Sequence, residues 1–283
     1  MEMLDKTQLV EKKQCPICGC RSKIVDTLKT MNKESEDNVS LRECESCKHW
    51  WIDPMPKQEY LSSLYKNGSK FVVSANYNGT SPSDEDCKKM FNKVVSFRED
   101  GKFNFLEIGC GTGSLLKYFS KMANVSFGVE PGSWAAGGNI VSDINDLPKN
   151  VLFDVVILGG TLEHVVDVKS MIKKIKEITN QEAIIYVDFP NKDCIKALLM
   201  KGKWSMVLPI GHLHFFSAKS IDVLFKEFKI VLEKKLRQGG LGVFDLIKGF
   251  DLKSKGIIYR FFKSLILGQI ILGKDQWEVI IKK

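Results

Sequence analysis

The sequence predicts an α/β fold in which a doubly wound, mostly parallel sheet of seven strands follows a small cysteine-rich module. Two observations predict the sheet. Apolar runs of strand length alternate with helical patterns from residue 103 onward, and a glycine-rich turn joins the first of these strands to its helix. The third observation, two C-x-x-C pairs within the first 50 residues, predicts the module. With 283 residues and 44% hydrophobic content, the chain can form one large domain with a small appendage.

The N-terminal module is predicted to be a zinc ribbon over residues 1–55. Its two cysteine pairs are Cys15 with Cys18 and Cys44 with Cys47. Four thiolates complete a tetrahedral zinc shell without an open position, so the predicted role of the ion is structural. Four free cysteines are the alternative interpretation. The N-terminus lacks the apolar segment of a signal peptide, so we expect a cytoplasmic protein, in which eight cysteines favour metal ligation or buried thiols over disulfides.

Residues 56–100 are predicted to form linking helices and a flap. Helical patterns at 57–65 and 87–98 flank a loop at 67–86 that is rich in Asn, Gly, Ser and Pro. The Trp50–Trp51 pair before this region is expected to pack against the following domain rather than to stack on bases.

The sheet domain is predicted over residues 101–283, and its first strand, 103–108, leads into the glycine turn. Three glycines alternate at Gly109, Gly111 and Gly113. A turn of this kind lets a ligand approach bare backbone. The G-x-G-x-G spacing differs from the G-x-G-x-x-G of dinucleotide-binding folds.

Candidate ligand-binding residues follow the ends of the next three predicted strands. Glu130 ends the second strand, 17 residues after Gly113, and its carboxylate can accept hydrogen bonds from both hydroxyls of a ribose. Asp143 ends the third strand and could accept from an adenine amino group. The fourth strand, 153–158, is followed by residues 160–164. Because the carboxyl ends of parallel strands share one edge of a sheet, we expect these features to surround a single ligand.

The fifth strand is predicted at 183–187, and the last two at 228–236 and 276–281. Between them, a helix is predicted over 195–206, and Ser217 is predicted to cap a helix over 218–228.

These residues together resemble class I S-adenosylmethionine-dependent methyltransferases, from about residue 103 to 281. The segment Leu106–Gly113, LEIGCGTG, resembles the glycine motif of that family, and Glu130 resembles its ribose-binding acid. Leu162-Glu163-His164-Val165 is similar to the motif that follows the fourth strand in a large small-molecule branch. The resemblance implies a Rossmann-like fold and S-adenosylmethionine as the cofactor.

A narrower resemblance concerns the ribbon, the WIDPMP segment at 51–56 and the GHLHFFS segment at 211–217. They are similar to a group of methyltransferases that carry an N-terminal zinc-binding module and are frequent in sugar and surface-polysaccharide pathways. The sugar C-methyltransferases of that group often carry Glu directly before the His of the last motif, where this chain has Gly211. The implied acceptor is a nucleotide-linked or lipid-linked sugar in glycan biosynthesis, and the methylated atom stays open.

The resemblance also implies which residues hold the cofactor. Glu107 and the loop amides would hold its amino-acid end, Glu130 its ribose, and Asp143 with Ile144 its adenine. The full set of expected cofactor contacts is Glu107, Gly109, Cys110, Gly111, Gly113, Glu130, Pro131, Asp143, Ile144, Gly160, Thr161 and Leu162. His212 is the first candidate for a catalytic base and His164 the second, although methyl transfer by proximity alone needs no base.

Two other functions are weighed against this one. An RNA methyltransferase could use the ribbon to bind phosphates, but the ribbon region is fairly acidic, which disfavours nucleic acid as a partner. A non-catalytic binding protein is disfavoured by the intact glycine turn and Glu130.

The C-terminal region carries a basic amphipathic insertion at about 240–274, in a chain with a formal charge of +8. Its segment 257–272 is dense in apolar residues but holds two internal charges and Gly268, which argue against a membrane span. Two alternatives stay open. The segment could contact the inner membrane face peripherally, or it could pack on the sheet or on a second subunit in a homodimer.

Overall fold

The computed structural model describes residues 5–29, 38–69, 72, 81–98, 101–134, 138–236 and 275–283. The predicted insertion at 240–274, with its amphipathic segment, lies outside these residues, so membrane contact and homodimer formation stay predictions. Within the described ranges, no helix is long and apolar enough to cross a membrane.

The ribbon is built from short antiparallel strands. They are β1 (Leu9–Val10), β2 (Ser22–Lys29), β3 (Asn38–Cys44), β4 (Trp50–Asp53) and β5 (Met55–Pro56), after a 3₁₀ turn at Lys6–Gln8. β3 lies between β2 and β4, and β1 pairs with β5. Trp50 and Trp51 are both buried, in agreement with a packing role. Their indole nitrogens donate to the Glu43 carboxylate and to the Lys12 carbonyl, each at 2.7 Å.

Two helices link the ribbon to the sheet, α1 (Gln58–Lys66) and α2 (Asp84–Val95). α2 begins three residues earlier than the apolar pattern predicts because Ser83 caps it: the hydroxyl accepts a hydrogen bond from the amide of Asp86 at 3.2 Å.

The remaining strands and helices follow in the predicted alternation. The strands are β6 (Asn104–Ile108), β7 (Val125–Val129), β8 (Ile140–Val141), β9 (Phe153–Gly159), β10 (Thr179–Pro190), β11 (His214–Phe215), β12 (Lys229–Leu236) and β13 (Gln276–Lys282). The helices are α3 (Ser114–Phe119), α4 (Val168–Glu177), α5 (Ile195–Met200) and α6 (Ala218–Leu224), with 3₁₀ turns at Ile144–Asp146, Leu162–His164 and Lys201–Lys203.

The main sheet has seven strands in the order β12-β13-β10-β9-β6-β7-β8. The five strands from β10 to β8 run parallel, and β13 is antiparallel to both of its neighbours. The predicted doubly wound, mostly parallel sheet of seven strands is therefore confirmed. β6 lies near the middle of this sheet, so the glycine turn that follows it opens at the centre of the carboxyl edge.

The helix predicted over 195–206 is wrong in its length. α5 ends at Met200 because Lys201 adopts a left-handed backbone conformation with a φ of 47°. The amide of Gly202 then donates to the Asp26 carboxylate of the ribbon at 3.0 Å. A contact with the ribbon therefore accompanies the end of this helix, and such a contact cannot be predicted from helical periodicity.

The ribbon and the main sheet share one hydrophobic core. β11 pairs antiparallel with β4, placing His214 opposite Trp51, and so adds a fourth strand to the ribbon sheet. Cys44, Trp51 and Met55 are completely buried in the same cluster as side chains from the main sheet. The ribbon is thus packed into the sheet domain rather than tethered beside it.

Candidate active site

A cavity of about 1020 Å³ lies at the carboxyl edge of the main sheet. Residues that follow four parallel strands line it, together with side chains from α1, from α4 and from the loop before β11. Of the predicted cofactor contacts, those that line this cavity are Gly109, Glu130, Pro131, Asp143, Ile144, Gly160 and Thr161.

The glycine turn is closely packed at its first residue. Gly109 has a φ of +75°, in the left-handed region that favours glycine. A Cβ at this position would overlap the hydroxyl of Thr161. That hydroxyl donates to the carbonyl of Ile108 at 3.0 Å, which holds the turn after β9 against the turn after β6. Two strand ends are thereby joined at the point where a ligand would meet bare backbone.

Glu130 organises the same turn from the next strand. One carboxylate oxygen accepts from the amide of Gly111 at 2.9 Å, and the other accepts from the amide of Gly132 at 2.8 Å. Burial raises the pKa of Glu130, and these two amide hydrogen bonds act in the opposite direction. A carboxylate offers about four lone-pair sites, so sites remain on Glu130 for hydroxyl donors in the cavity.

Five of the predicted cofactor contacts do not line the cavity: Glu107, Cys110, Gly111, Gly113 and Leu162. Cys110 and Leu162 are buried in packing, and Gly113 is the N-cap residue of α3. Gly111 acts on the cavity through its hydrogen bond to Glu130. Glu107 is 8% exposed, and burial raises its pKa to about 8, which keeps the carboxyl mostly protonated near neutral pH. In this structure Glu107 is therefore a buried group behind the cavity rather than part of its wall.

Asp143 has a local structural role as well as a place in the cavity wall. Its carboxylate accepts from the amide of Asn145 at 2.7 Å and so caps the 3₁₀ turn at Ile144–Asp146. This cap holds Ile144 against the cavity beside Asp143.

His164 and His212 meet on the cavity wall, with ring centroids 4.7 Å apart. His164 Nδ1 lies 2.7 Å from the carbonyl oxygen of Gly211 and 2.9 Å from the hydroxyl of Tyr65. His212 Nδ1 lies 2.7 Å from the carbonyl oxygen of Met206. Burial lowers the pKa of His212, and it lowers the pKa of His164 to about 3. Both rings are therefore neutral at pH 7.

His214 lies away from this pair, although sequence spacing places it on the same face as His212 in an extended chain. It is completely buried, and its Nδ1 lies 3.0 Å from Nε2 of His49 in the ribbon. The chain passes from a turn to β11 between the two histidines, so they point to different surroundings.

The expected cofactor contacts and candidate bases do not include Tyr65, Trp134 or Glu163, yet all three line the cavity. Tyr65 comes from α1, whose position depends on the packing of Leu61 and Leu64 in the shared core. Glu163 is 3% exposed, and burial raises its pKa to about 8. The only sequence signal for Glu163 is its place directly before His164.

The four predicted zinc ligands of the ribbon do converge. Sγ–Sγ distances are 3.6 Å for Cys15–Cys47, 3.4 Å for Cys18–Cys44 and 3.6 Å for Cys18–Cys47. A tetrahedral ion with Zn–S bonds of about 2.3 Å requires sulfur atoms about 3.8 Å apart, so the tetrad fits zinc closely and is too open for disulfides. The Cys47 amide also donates to Cys44 Sγ at 3.4 Å. This cluster could hold one metal ion.

Comparisons with known proteins agree with this architecture. A family model described as a methyltransferase domain matches residues 82–232. The ubiquinone biosynthesis O-methyltransferase of Bradyrhizobium diazoefficiens is 26% identical over 123 residues, which are 39% of this chain and 49% of that protein. The chain therefore spans about half the length of the curated relative that it matches.

Two solved structures are similar to this chain, and the first illustrates the similarity of fold. A SAM-dependent methyltransferase from Archaeoglobus fulgidus superposes with a TM-score of 0.50 at 20% identity, over 71% of this chain and 95% of that one. The plantazolicin methyltransferase BpumL, solved with a triazolic desmethylPZN analog and SAH, gives a TM-score of 0.47 at 14% identity, over 80% of this chain and 90% of that one.

The buried carboxyl of Glu107 predicts a dependence of stability on pH. Its ordinary pKa of 4.5 is raised to about 8 in the folded chain, so between these values the folded state binds more protons than the unfolded state. The wild type should therefore lose stability relative to Glu107→Gln as the pH rises from 4.5 to 8, by on the order of 1 kcal/mol per pH unit. Denaturant unfolding at a series of pH values measures this difference.

The control for this measurement is Glu45→Gln, because Glu45 is exposed on the ribbon. Its stability should follow the wild-type pH profile. Parallel profiles for the wild type and Glu107→Gln would show that Glu107 is ionised in the folded chain.

Proposed function

We propose that this chain, which belongs to the methyltransferase-domain family, is an S-adenosylmethionine-dependent methyltransferase that acts on a small-molecule acceptor. One observation carries the proposal: the cavity that contains Gly109 and Glu130 in its wall is also lined by Tyr65, His164 and His212. A cofactor site and a set of polar groups for an acceptor therefore share one cavity. A cavity of this size suits a nucleoside cofactor together with a small acceptor.

Residues at the strand ends fit S-adenosylmethionine. A Cβ at position 109 would collide with Thr161, so this turn carries glycine there. Without a side chain, the backbone of the turn is open to a ligand. We infer that Glu130 accepts the ribose hydroxyls with the lone pairs that its amide hydrogen bonds leave over, and that Asp143 and Ile144 contact the adenine. The bound cofactor supplies a methyl group that its sulfonium already activates. The protein then has to exclude water and align the acceptor with that methyl group.

His212 and His164 are the groups proposed to handle the acceptor. His212 can donate its Nδ1–H to the carbonyl of Met206, and His164 can donate its Nδ1–H to the carbonyl of Gly211. In each ring Nε2 then keeps a lone pair. Because both rings are neutral at pH 7, each can accept a hydrogen bond or a proton from an acceptor hydroxyl or amine. His212 stays the first candidate for a base, since His164 is tied to both Gly211 and Tyr65.

We propose a nucleotide-linked or lipid-linked sugar as the acceptor. Support comes from the ribbon and from the segment at 211–217, which resemble methyltransferases of sugar and surface-polysaccharide pathways. Segment 211–217 supplies His212 to the cavity wall and β11 to the ribbon sheet, so the two parts that carry the resemblance are in direct contact.

We further propose that the cysteine tetrad holds one structural zinc ion. The Sγ spacing fits tetrahedral coordination, and Cys44 and Cys47 belong to the core that the ribbon shares with the main sheet. Zinc there would fix the end of β3 and, through the core, the position of β4 against β11.

Removal of the Glu130 carboxylate should weaken cofactor binding. Glu130→Ala loses the proposed ribose acceptor and the anchors of Gly111 and Gly132, so S-adenosylhomocysteine should bind about 1.5–3 kcal/mol more weakly by calorimetry. Asp146→Asn is the matched control, because Asp146 is exposed beside the same cavity and outside its lining. Equal affinity of wild type and Glu130→Ala would remove Glu130 from the site.

The acceptor class is tested by transfer of a labelled methyl group. Purified full-length protein with labelled S-adenosylmethionine should label members of a nucleotide-sugar or lipid-linked-sugar panel and leave an RNA panel unlabelled. Transfer to RNA alone would overturn the sugar proposal and leave the enzyme class intact.

The zinc proposal is tested by metal analysis. Protein purified without chelator should contain zinc, and Cys44→Ser should contain one equivalent less and melt at a lower temperature, because the ribbon shares its core with the main sheet. Cys20→Ser is the control, since Cys20 is exposed and outside the tetrad. Zinc-free wild type, or equal zinc content in both variants, would contradict the proposal.

A further inference from the structure

Three side chains with metal-ligating atoms converge on the wall of the cavity. One ligand atom each from Glu163, His164 and His212 lies within 4.8 Å of the other two. We propose that these three residues form a second metal site, specific for a divalent transition ion such as zinc or cobalt, at the acceptor side of the cavity. This inference rests on the proposed methyltransferase function and gives the two histidines the role of ligands.

The first support is the way in which both imidazole rings are held. Nδ1 of His164 points to the carbonyl of Gly211 and Nδ1 of His212 to the carbonyl of Met206, each at 2.7 Å. Histidines that bind metals usually donate their other ring N–H to a carbonyl or a carboxylate, which fixes the tautomer and makes the ligating nitrogen more basic. Here two adjacent rings have this arrangement, so both Nε2 atoms carry lone pairs without any rearrangement of protons.

The second support is Glu163. Its side chain is 97% buried, since only 3% is exposed, and it lines the cavity. Its Oε2 atom has no hydrogen-bond partner among the described residues. A buried carboxyl oxygen without a partner is costly, and a bound cation would remove that cost by pairing with the ionised group.

The backbone holds the three ligands in fixed relative positions. Glu163 and His164 belong to the 3₁₀ turn at Leu162–His164, and the carbonyl of Glu163 accepts from the amide of Leu213 at 2.8 Å. Leu213 directly follows His212. The turn that carries two ligands is therefore hydrogen-bonded to the neighbour of the third.

The ligand set indicates the kind of metal. Two imidazoles and one carboxylate, with a further position open to substrate or water, are a common catalytic zinc set. Bonds of about 2.0–2.1 Å in a tetrahedron place ligand atoms about 3.3 Å apart, so the three side chains would have to draw together from their present spacing of up to 4.8 Å. Imidazole nitrogen favours zinc, cobalt and iron over magnesium and calcium, which prefer oxygen ligands.

A metal there defines the chemistry of the acceptor. An acceptor hydroxyl bound at the open position would lose its proton to bulk water, since a divalent cation lowers the pKa of a bound hydroxyl. An electron pair of that oxygen would then form the bond to the methyl carbon while the carbon–sulfur bond breaks, which yields a methyl ether and S-adenosylhomocysteine. The site therefore points to O-methylation of a hydroxylated acceptor.

The test is a titration of full-length protein with cobalt(II), after the zinc content has been set to one equivalent per chain, which is the amount that the cysteine tetrad holds. Calorimetry should show one further equivalent of cobalt bound by the wild type. Glu163→Gln and His212→Asn should each weaken this binding at least about 10-fold. Asp167→Asn is the matched control, because Asp167 also lines the cavity but lies outside the cluster, and asparagine can still cap α4. Its cobalt affinity should equal that of the wild type.

Two further readouts keep the outcomes distinct. An absorption band from thiolate-to-cobalt charge transfer would show that cobalt had entered the cysteine tetrad instead of the second site. Cobalt binding that is accompanied by this band overturns the proposal. Failure of the wild type to bind cobalt also overturns the proposal. Equal cobalt affinity of Glu163→Gln and the wild type overturns it as well, because this substitution removes the carboxylate and keeps the size of the side chain. Binding of S-adenosylhomocysteine by the same samples shows that they are folded. If the wild type binds S-adenosylhomocysteine but not cobalt, the metal site is wrong and the proposed function stands. If the wild type does not bind S-adenosylhomocysteine, the proposed function is contradicted.

Discussion

The backbone of Leu213 connects the parts of the molecule on which the candidate active site depends. Its amide donates to the carbonyl of Glu163 at 2.8 Å, and its carbonyl accepts from the amide of Ile52 in β4 at 3.0 Å. Leu213 itself is completely buried, so both hydrogen bonds satisfy groups that have no access to water. Through this residue the ribbon, the loop before β11 and the turn after β9 are held together. The ribbon consequently helps to build the site, because it fixes the segment that presents His212 to the cavity.

A second constraint acts on the side of the cavity that is proposed to hold the cofactor. Glu130 holds the glycine turn through Gly111 and the following loop through Gly132, while Thr161 holds the turn from the opposite side. The strand ends are thus fixed before any ligand arrives, so little ordering would be required on binding. This arrangement gives Glu130 a structural role beside its proposed role in binding ribose, so its hydrogen bonds within the protein have a cause of their own.

Buried ionisable groups concentrate around this edge of the sheet. Burial raises the pKa values of Glu107 and Glu163 to about 8 and lowers that of His164 to about 3. Such groups destabilise the fold when they are charged and unpaired, and they cluster in proteins where a ligand or a reaction uses them. Glu107 lies behind the glycine turn and Glu163 in the cavity wall. Buried ionisable groups therefore accompany the two turns that border the cavity, the one after β6 and the one after β9.

The sequence alone determined the class of fold, the glycine turn and the cysteine tetrad, because each rests on local spacing: strand and helix periods, alternate glycines, and paired C-x-x-C motifs. It also brought Glu130 and Asp143 to the right edge, since parallel strands end on one side of a sheet. Only the tertiary structure decided that His212 faces the cavity while His214 faces His49, and that Tyr65 and Glu163 join the site. These placements depend on β11 pairing with β4 and on the hydrogen bonds that Leu213 makes to Ile52 and Glu163, and these contacts join segments that are distant in the sequence. Local sequence patterns carry no information about contacts of that range.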